Sequence, residues 1–105
     1  MTLNIKIPSK VTLQKYGLTT EEFESIWLRQ DSKCPICLKV PTTGRTNIDH
    51  EHVKGFKKLP FELRAQYVRG ITCWFCNKNY LARGITVAKA QNVVEYLNAY
   101  AAKSP

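Results

Sequence analysis

The four cysteines of this chain fall into two pairs of identical spacing, Cys34-x-x-Cys37 and Cys73-x-x-Cys76, which together use every cysteine present. Two residues between thiolates let one tight turn aim both sulfurs at a single ion, and two such turns complete a tetrahedral shell. A shell of four thiolates leaves no open coordination position, so the ion it holds is structural, with zinc the expected occupant. A redox-active Cys-x-x-Cys is the competing reading, and the doubled pair argues against it. Iron is also compatible with four thiolates. The 35 residues between the pairs exceed what a compact zinc ribbon needs, so a further structure is expected between the knuckles.

At 105 residues the chain reads as one domain with a modest core, in which metal binding supplies folding energy. We divide it into an N-terminal arm, residues 1–18, read as extended, and a single domain over residues 19–105. Thr19-Thr20-Glu21-Glu22 has the pattern of a capping box, and Phe23, Ile26 and Trp27 follow at helical spacing, predicting a helix to Gln30. A turn is expected around Pro41-Thr42-Thr43-Gly44. Short strands are expected at Arg45–His50 and Val68–Thr72, and a helix from Trp74 to Arg83 stopped by Gly84. Val87, Ala90, Val94, Leu97 and Ala101 share one face of a final helix, expected to pack on the core. Phe23, Trp27, Trp74 and Phe75 are read as core and knuckle packing rather than base-stacking platforms.

The net charge is +8, from 16 Lys and Arg against 8 Asp and Glu. Such an excess favours a polyanionic partner, most commonly nucleic acid, over a merely soluble basic protein or one bound to anionic lipid. Lys54, Lys57, Lys58, Arg64 and Arg69 are candidates for contacts to DNA phosphates, which position a duplex without reading it. No apolar run approaches the roughly 20 residues of a membrane span. The first residues lack the pattern of a secretory signal, so an intracellular, reducing location is expected, which suits metal thiolates.

Both histidines lie in Asp49-His50-Glu51-His52. On a regular strand residues 50 and 52 would share one face and residues 49 and 51 the other, whereas a turn at the strand end would bring Asp49 and His50 together. Together they offer a hard carboxylate ligand beside an imidazole able to take a proton from water. A polar turn with surface histidines is the plain alternative, and a second metal site sharing His50 and His52 a lesser one. Asn77, directly after Cys76, adds an amide.

Tyr16-Gly17-Leu18-Thr19 with Glu21-Glu22-Phe23, the two knuckles, Asp49-His50-Glu51-His52, Val68-Arg69-Gly70-Ile71-Thr72-Cys73 and Cys76-Asn77 together resemble the phage recombination endonuclease VII family. The likeness spans roughly residues 16–100, including the segment Val87–Tyr100. It implies an α+β, zinc-stapled ββα-metal (HNH) nuclease domain with flanking helices. In that fold Asp49 and Asn77 would hold a catalytic Mg²⁺ or Mn²⁺ separate from the zinc. His50 would be the general base, with His52 assisting at the scissile phosphate. The implied activity is hydrolysis of DNA phosphodiesters to a 5′ phosphate and a 3′ hydroxyl, in the host cytoplasm if the protein is phage-encoded.

Three departures bear on that likeness. A basic stretch, residues 57–66, lies between the second histidine and the Val-Arg-Gly strand. Tyr80 stands where the family's prototype has an acidic residue, so no third metal-side carboxylate is carried over. The sequence stops at Pro105, short of the C-terminal region through which the prototype dimerises, so four-way-junction resolution is not inherited automatically and a homodimer is left open. The alternatives are a non-catalytic zinc module that binds nucleic acid and a zinc-built interaction module of a phage particle.

Overall fold

A computed structural model describes residues 3–103. The elements run α1 (Lys10–Lys15), α2 (Thr20–Arg29), β1 (Asn47–His50), a 3₁₀ turn (Phe56–Lys58), α3 (Phe61–Arg64), a second 3₁₀ turn (Ala65–Tyr67), β2 (Val68–Thr72), α4 (Trp74–Cys76), a π-helical turn (Asn77–Leu81) and α5 (Val87–Lys103). The fold is thus mixed: helices around a small antiparallel sheet of β1 and β2. Among the described residues no helix is long and apolar enough to cross a membrane.

Helix α2 begins as its sequence predicts. The Thr19 hydroxyl accepts from the Glu22 amide at 3.1 Å, and the Glu22 carboxylate accepts from the Thr19 amide at 2.9 Å. Gln30 closes the helix, its amide donating back to the Ile26 and Trp27 carbonyls. Fixing the two ends aims one face at the sheet, and that face carries Phe23 and Trp27, both fully buried. They meet Ile48 of β1 and Ile71 of β2, with Ile5, Leu13 and Leu18 closing the core. The buried indole N–H still needs an acceptor, and Asn4 Oδ1 supplies one at 2.7 Å. Trp27→Ala is therefore expected to cost about 3–5 kcal/mol, read as a lowered denaturation midpoint.

The N-terminal segment differs from its extended reading. Ser9 caps the short helix α1, its hydroxyl accepting from the Thr12 amide, and Ile5 and Leu13 enter the core. Gly17 then turns the chain with φ +68° and lies against α3, where a Cβ would collide with the Phe61 carbonyl oxygen. Only glycine satisfies both the left-handed backbone and the close approach.

Gln30 also finishes the sheet. Its side-chain amide donates to the Ile71 carbonyl at 2.7 Å and accepts from the Ile71 N–H at 2.9 Å, as a neighbouring peptide would. Gly70 leaves the room this needs, since a Cβ there would stand 2.9 Å from Gln30 Oε1.

The helix expected from Trp74 to Arg83 forms in two parts, α4 and the π-helical turn, before Gly84 ends it at φ +73°. Helix α5 forms where the periodicity placed it, but it does not pack on the core. Val87, Val94 and Leu97 on its apolar face are 88%, 48% and 58% exposed. The pattern of a helix face identifies what is apolar without supplying what covers it.

Candidate functional site

The two knuckles arrive from opposite directions and meet. Cys34 follows the end of α2, and its turn is closed by hydrogen bonds from the Leu38 amide to the Cys34 carbonyl and from the Cys34 amide to the Lys39 carbonyl. Cys73 follows β2 and caps α4, its sulfur accepting from the Cys76 amide. The four sulfurs lie within 4.8 Å of one another, as a shared metal ion requires. Tetrahedral thiolates with metal–sulfur bonds of about 2.3 Å have sulfur–sulfur edges of about 3.8 Å. Cys37 Sγ and Cys73 Sγ stand 3.8 Å apart.

The thiols are also electrostatically uneven. Burial pushes Cys34 up, but backbone hydrogen bonds from Cys37, Cys73 and Ile36 together pull it down to about 7. Burial pushes Cys73 up from the ordinary thiol value and Cys76 well up. Four crowded sulfurs cannot all ionise unless a cation sits among them, which is the condition a bound metal meets. Trp74 and Phe75, read above as packing residues, are 57% and 56% exposed. With the ligands turned inward, the two residues between them are carried to the outside of the knuckle.

The second cluster stands on the sheet. Ile48 pairs with Ile71 and Asp49 with Gly70, but His50 pairs with Val68. Arg69 is therefore the extra residue of a β-bulge opposite the Asp49–His50 step. Bulges re-aim side chains. Here the guanidinium meets the buried Asp49 carboxylate in a two-point ion pair, Nε to Oδ2 at 2.7 Å and Nη2 to Oδ1 at 2.9 Å. Arg69, expected to face DNA phosphates, thus has a protein partner, although its side chain remains 46% exposed.

His50 is half-buried and held by rings. It stacks on Phe56 with centroids 4.3 Å apart, Tyr16 lies 5.5 Å away, and His52 meets it edge-on at 5.1 Å. Burial, and next the charge of His52, hold the imidazole below its ordinary pKa of 6.5. It is accordingly neutral at pH 7, the form able to accept a proton. His52 itself is exposed. Asn77 opens the π-helical turn, which packs against β1, so the fold brings the Cys76-Asn77 segment toward the strand bearing Asp49 and His50.

The basic residues divide. Lys54, Lys57 and Lys58 are exposed. Arg64 corrects its reading as a surface phosphate contact. It is 9% exposed and donates to the carbonyls of Leu59, Lys15 and Lys57 at 3.0, 3.1 and 2.7 Å. Its guanidinium also lies over the Phe61 ring at 4.7 Å. This arginine therefore ties residues 57–66 to the end of α1. Such a role was not legible because its partners are backbone oxygens, one of them 49 residues away in sequence. The ring cage of Tyr16 and Phe56 around His50 was likewise missed, since only the fold joins residues so spaced.

The family model described as recombination endonuclease VII matches residues 9–99, and the chain belongs to that family. It is similar to the Gene 59 protein of Mycobacterium phage D29, 33% identical over 88 residues that cover 81% of this chain and 46% of the relative. The Gene 59 protein of Mycobacterium phage L5 is 29% identical over 85 residues, covering 80% and 42%. The chain thus spans less than half the length of these curated relatives. No solved structure matches it.

Proposed function

We propose that this domain is an HNH-type (ββα-metal) endonuclease that hydrolyses DNA phosphodiesters. The observation that carries the reading is the Asp49–His50 step opposite the bulge. It sets a buried carboxylate that already gathers positive charge beside an imidazole held neutral in a ring cage.

In this reading zinc occupies the four-thiolate cluster and is structural, because Cys34, Cys37, Cys73 and Cys76 fill its shell. A second ion, Mg²⁺ or Mn²⁺, would be held by the carboxylate of Asp49 and the amide of Asn77. The fit rests on hard oxygen donors and on a carboxylate that is 7% exposed and draws in a cation. Held there, a divalent ion would supply Lewis-acid stabilisation of the charge on the phosphate. Arg69 shares the Asp49 carboxylate and adds a fixed positive charge beside the phosphate. His50 removes a proton from the attacking water, and Phe56 behind its ring fixes the direction of that transfer. His52, exposed at the mouth, assists at the phosphate. Lys54, Lys57 and Lys58 contact flanking phosphates.

A homodimer, if formed, would have the exposed apolar face of α5 available as its joint and would carry two active sites. If the protein is phage-encoded, the enzyme would act in the cytoplasm of the bacterial host.

Incubating supercoiled DNA with zinc-loaded protein and Mg²⁺ or Mn²⁺ tests the activity. Nicking above the level of His50→Ala is expected. Salt-sensitive DNA binding without nicking, unchanged by His50→Ala, would instead establish a non-catalytic nucleic-acid-binding module.

A further inference from the structure

We propose that the cavity on the ring side of His50 is a nucleotide subsite, taking one nucleotide of a DNA strand with its phosphate at Lys15 and Lys57 and its sugar and base against Tyr16. The cavity has a volume of about 410 Å³ and is lined by Lys15, Tyr16, His50, Phe56, Lys57 and Arg64. That volume falls within the range of roughly 300–1,000 Å³ usual for small-ligand sites. Three cationic side chains and no carboxylate line it. Charge alone would accept any small anion, but the remaining walls are the rings of Tyr16, Phe56 and His50. A ligand that satisfies both halves carries a phosphate and a flat, largely apolar body, and a nucleotide is that ligand.

The walls are built to hold their shape. Arg64 is fixed by three backbone carbonyls, which include those of Lys15 and Lys57, and so sets the spacing of the two lysines while contributing its own charge. Phe56 is buried and engaged by His50 on one side, with Arg64 5.5 Å from its centroid. Lys15 and Lys57, both exposed, keep their ammonium groups available. Neither Asp49 nor Arg69 lines the cavity, so it borders the proposed centre at His50 without being that centre. A nucleotide seated here would neighbour the scissile phosphate and hold the strand in register against the imidazole. This assignment rests on the nuclease reading for its biological sense, but its test does not depend on cleavage.

Isotope-labelled, metal-loaded protein is titrated by NMR with thymidine monophosphate, and in parallel with thymidine and with inorganic phosphate, without added Mg²⁺ or Mn²⁺. Saturable shifts of the amides of Tyr16, Phe56 and Lys57 are expected with the monophosphate. Lys15→Gln and Lys57→Gln should each weaken that binding by about tenfold, the size of a lost charged hydrogen bond. Both sites are exposed, and the same spectra show whether each variant is folded. Absent shifts, unchanged affinity in both lysine variants, or equal affinity for inorganic phosphate would each overturn the nucleotide assignment. A protein that binds the monophosphate here yet cuts no DNA would keep the subsite and lose the nuclease reading; one that cuts DNA but binds nothing here would do the reverse.

Discussion

Stripping the metal from the four-thiolate cluster is expected to unfold the domain rather than merely to inactivate it. The cluster joins the turn after α2 to the end of β2, the two elements that carry Trp27 and Ile71 into the core. Without a cation, buried Cys34 and Cys76 would bring crowded sulfurs into the interior with nothing to balance them. Apparent binding energies for structural zinc are about 10–16 kcal/mol in small finger peptides. A whole small domain has a net stability of only about 5–15 kcal/mol. The loss is therefore of the same size as the whole net stability, which leaves the core too little to stay folded. Adding a strong chelator should abolish the near-ultraviolet circular dichroism of Trp27 and the cooperative thermal transition, and zinc should restore both. Cys76→Ser should behave like the chelated protein. A chelated sample that still melts cooperatively at an unchanged temperature would remove the cluster from any structural role.

His50→Ala should lower DNA cleavage by about 10²–10⁴-fold, the usual contribution of a positioned general base. The melting temperature should move little, because the imidazole is only partly buried and makes its contacts through ring faces. His52→Ala should cost less than His50→Ala, since His52 is exposed and meets its neighbour only edge-on. Cleavage by purified variants, normalised to DNA bound, separates the two. Equal losses at His50 and His52 would mean that the ring cage does not single out the base.

Local chemistry was legible in the sequence, and long-range coverage was not. The Thr19–Glu22 box and the Val68–Thr72 strand appear with the expected residues, because a cap and a short strand are decided within a few positions. The thiol cluster was equally plain, since its spacing is set by the geometry of the ion. Helix α5 was legible as a helix but not as an exposed one. Trp74 and Phe75 were misread because hydrophobicity alone assigns them inward, whereas the ligand turn carries them out. At the proposed centre the residue types were visible, but Arg69 was not separable from its neighbouring bases. Its pairing with Asp49 depends on a single unmatched residue in β2, and a bulge has no signature in a list of side chains.

Gln30 has a consequence for how this domain meets other molecules. A strand at the edge of a sheet ordinarily offers its peptide groups as a template for another strand. Here one side-chain amide occupies both peptide groups of Ile71, on a strand whose other side is taken by β1. A partner approaching this part of β2 meets a closed seam, so growth by strand addition is blocked at its middle. Assembly on the β2 side of this small sheet must then proceed through helices and loops, by side-chain contacts rather than shared backbone.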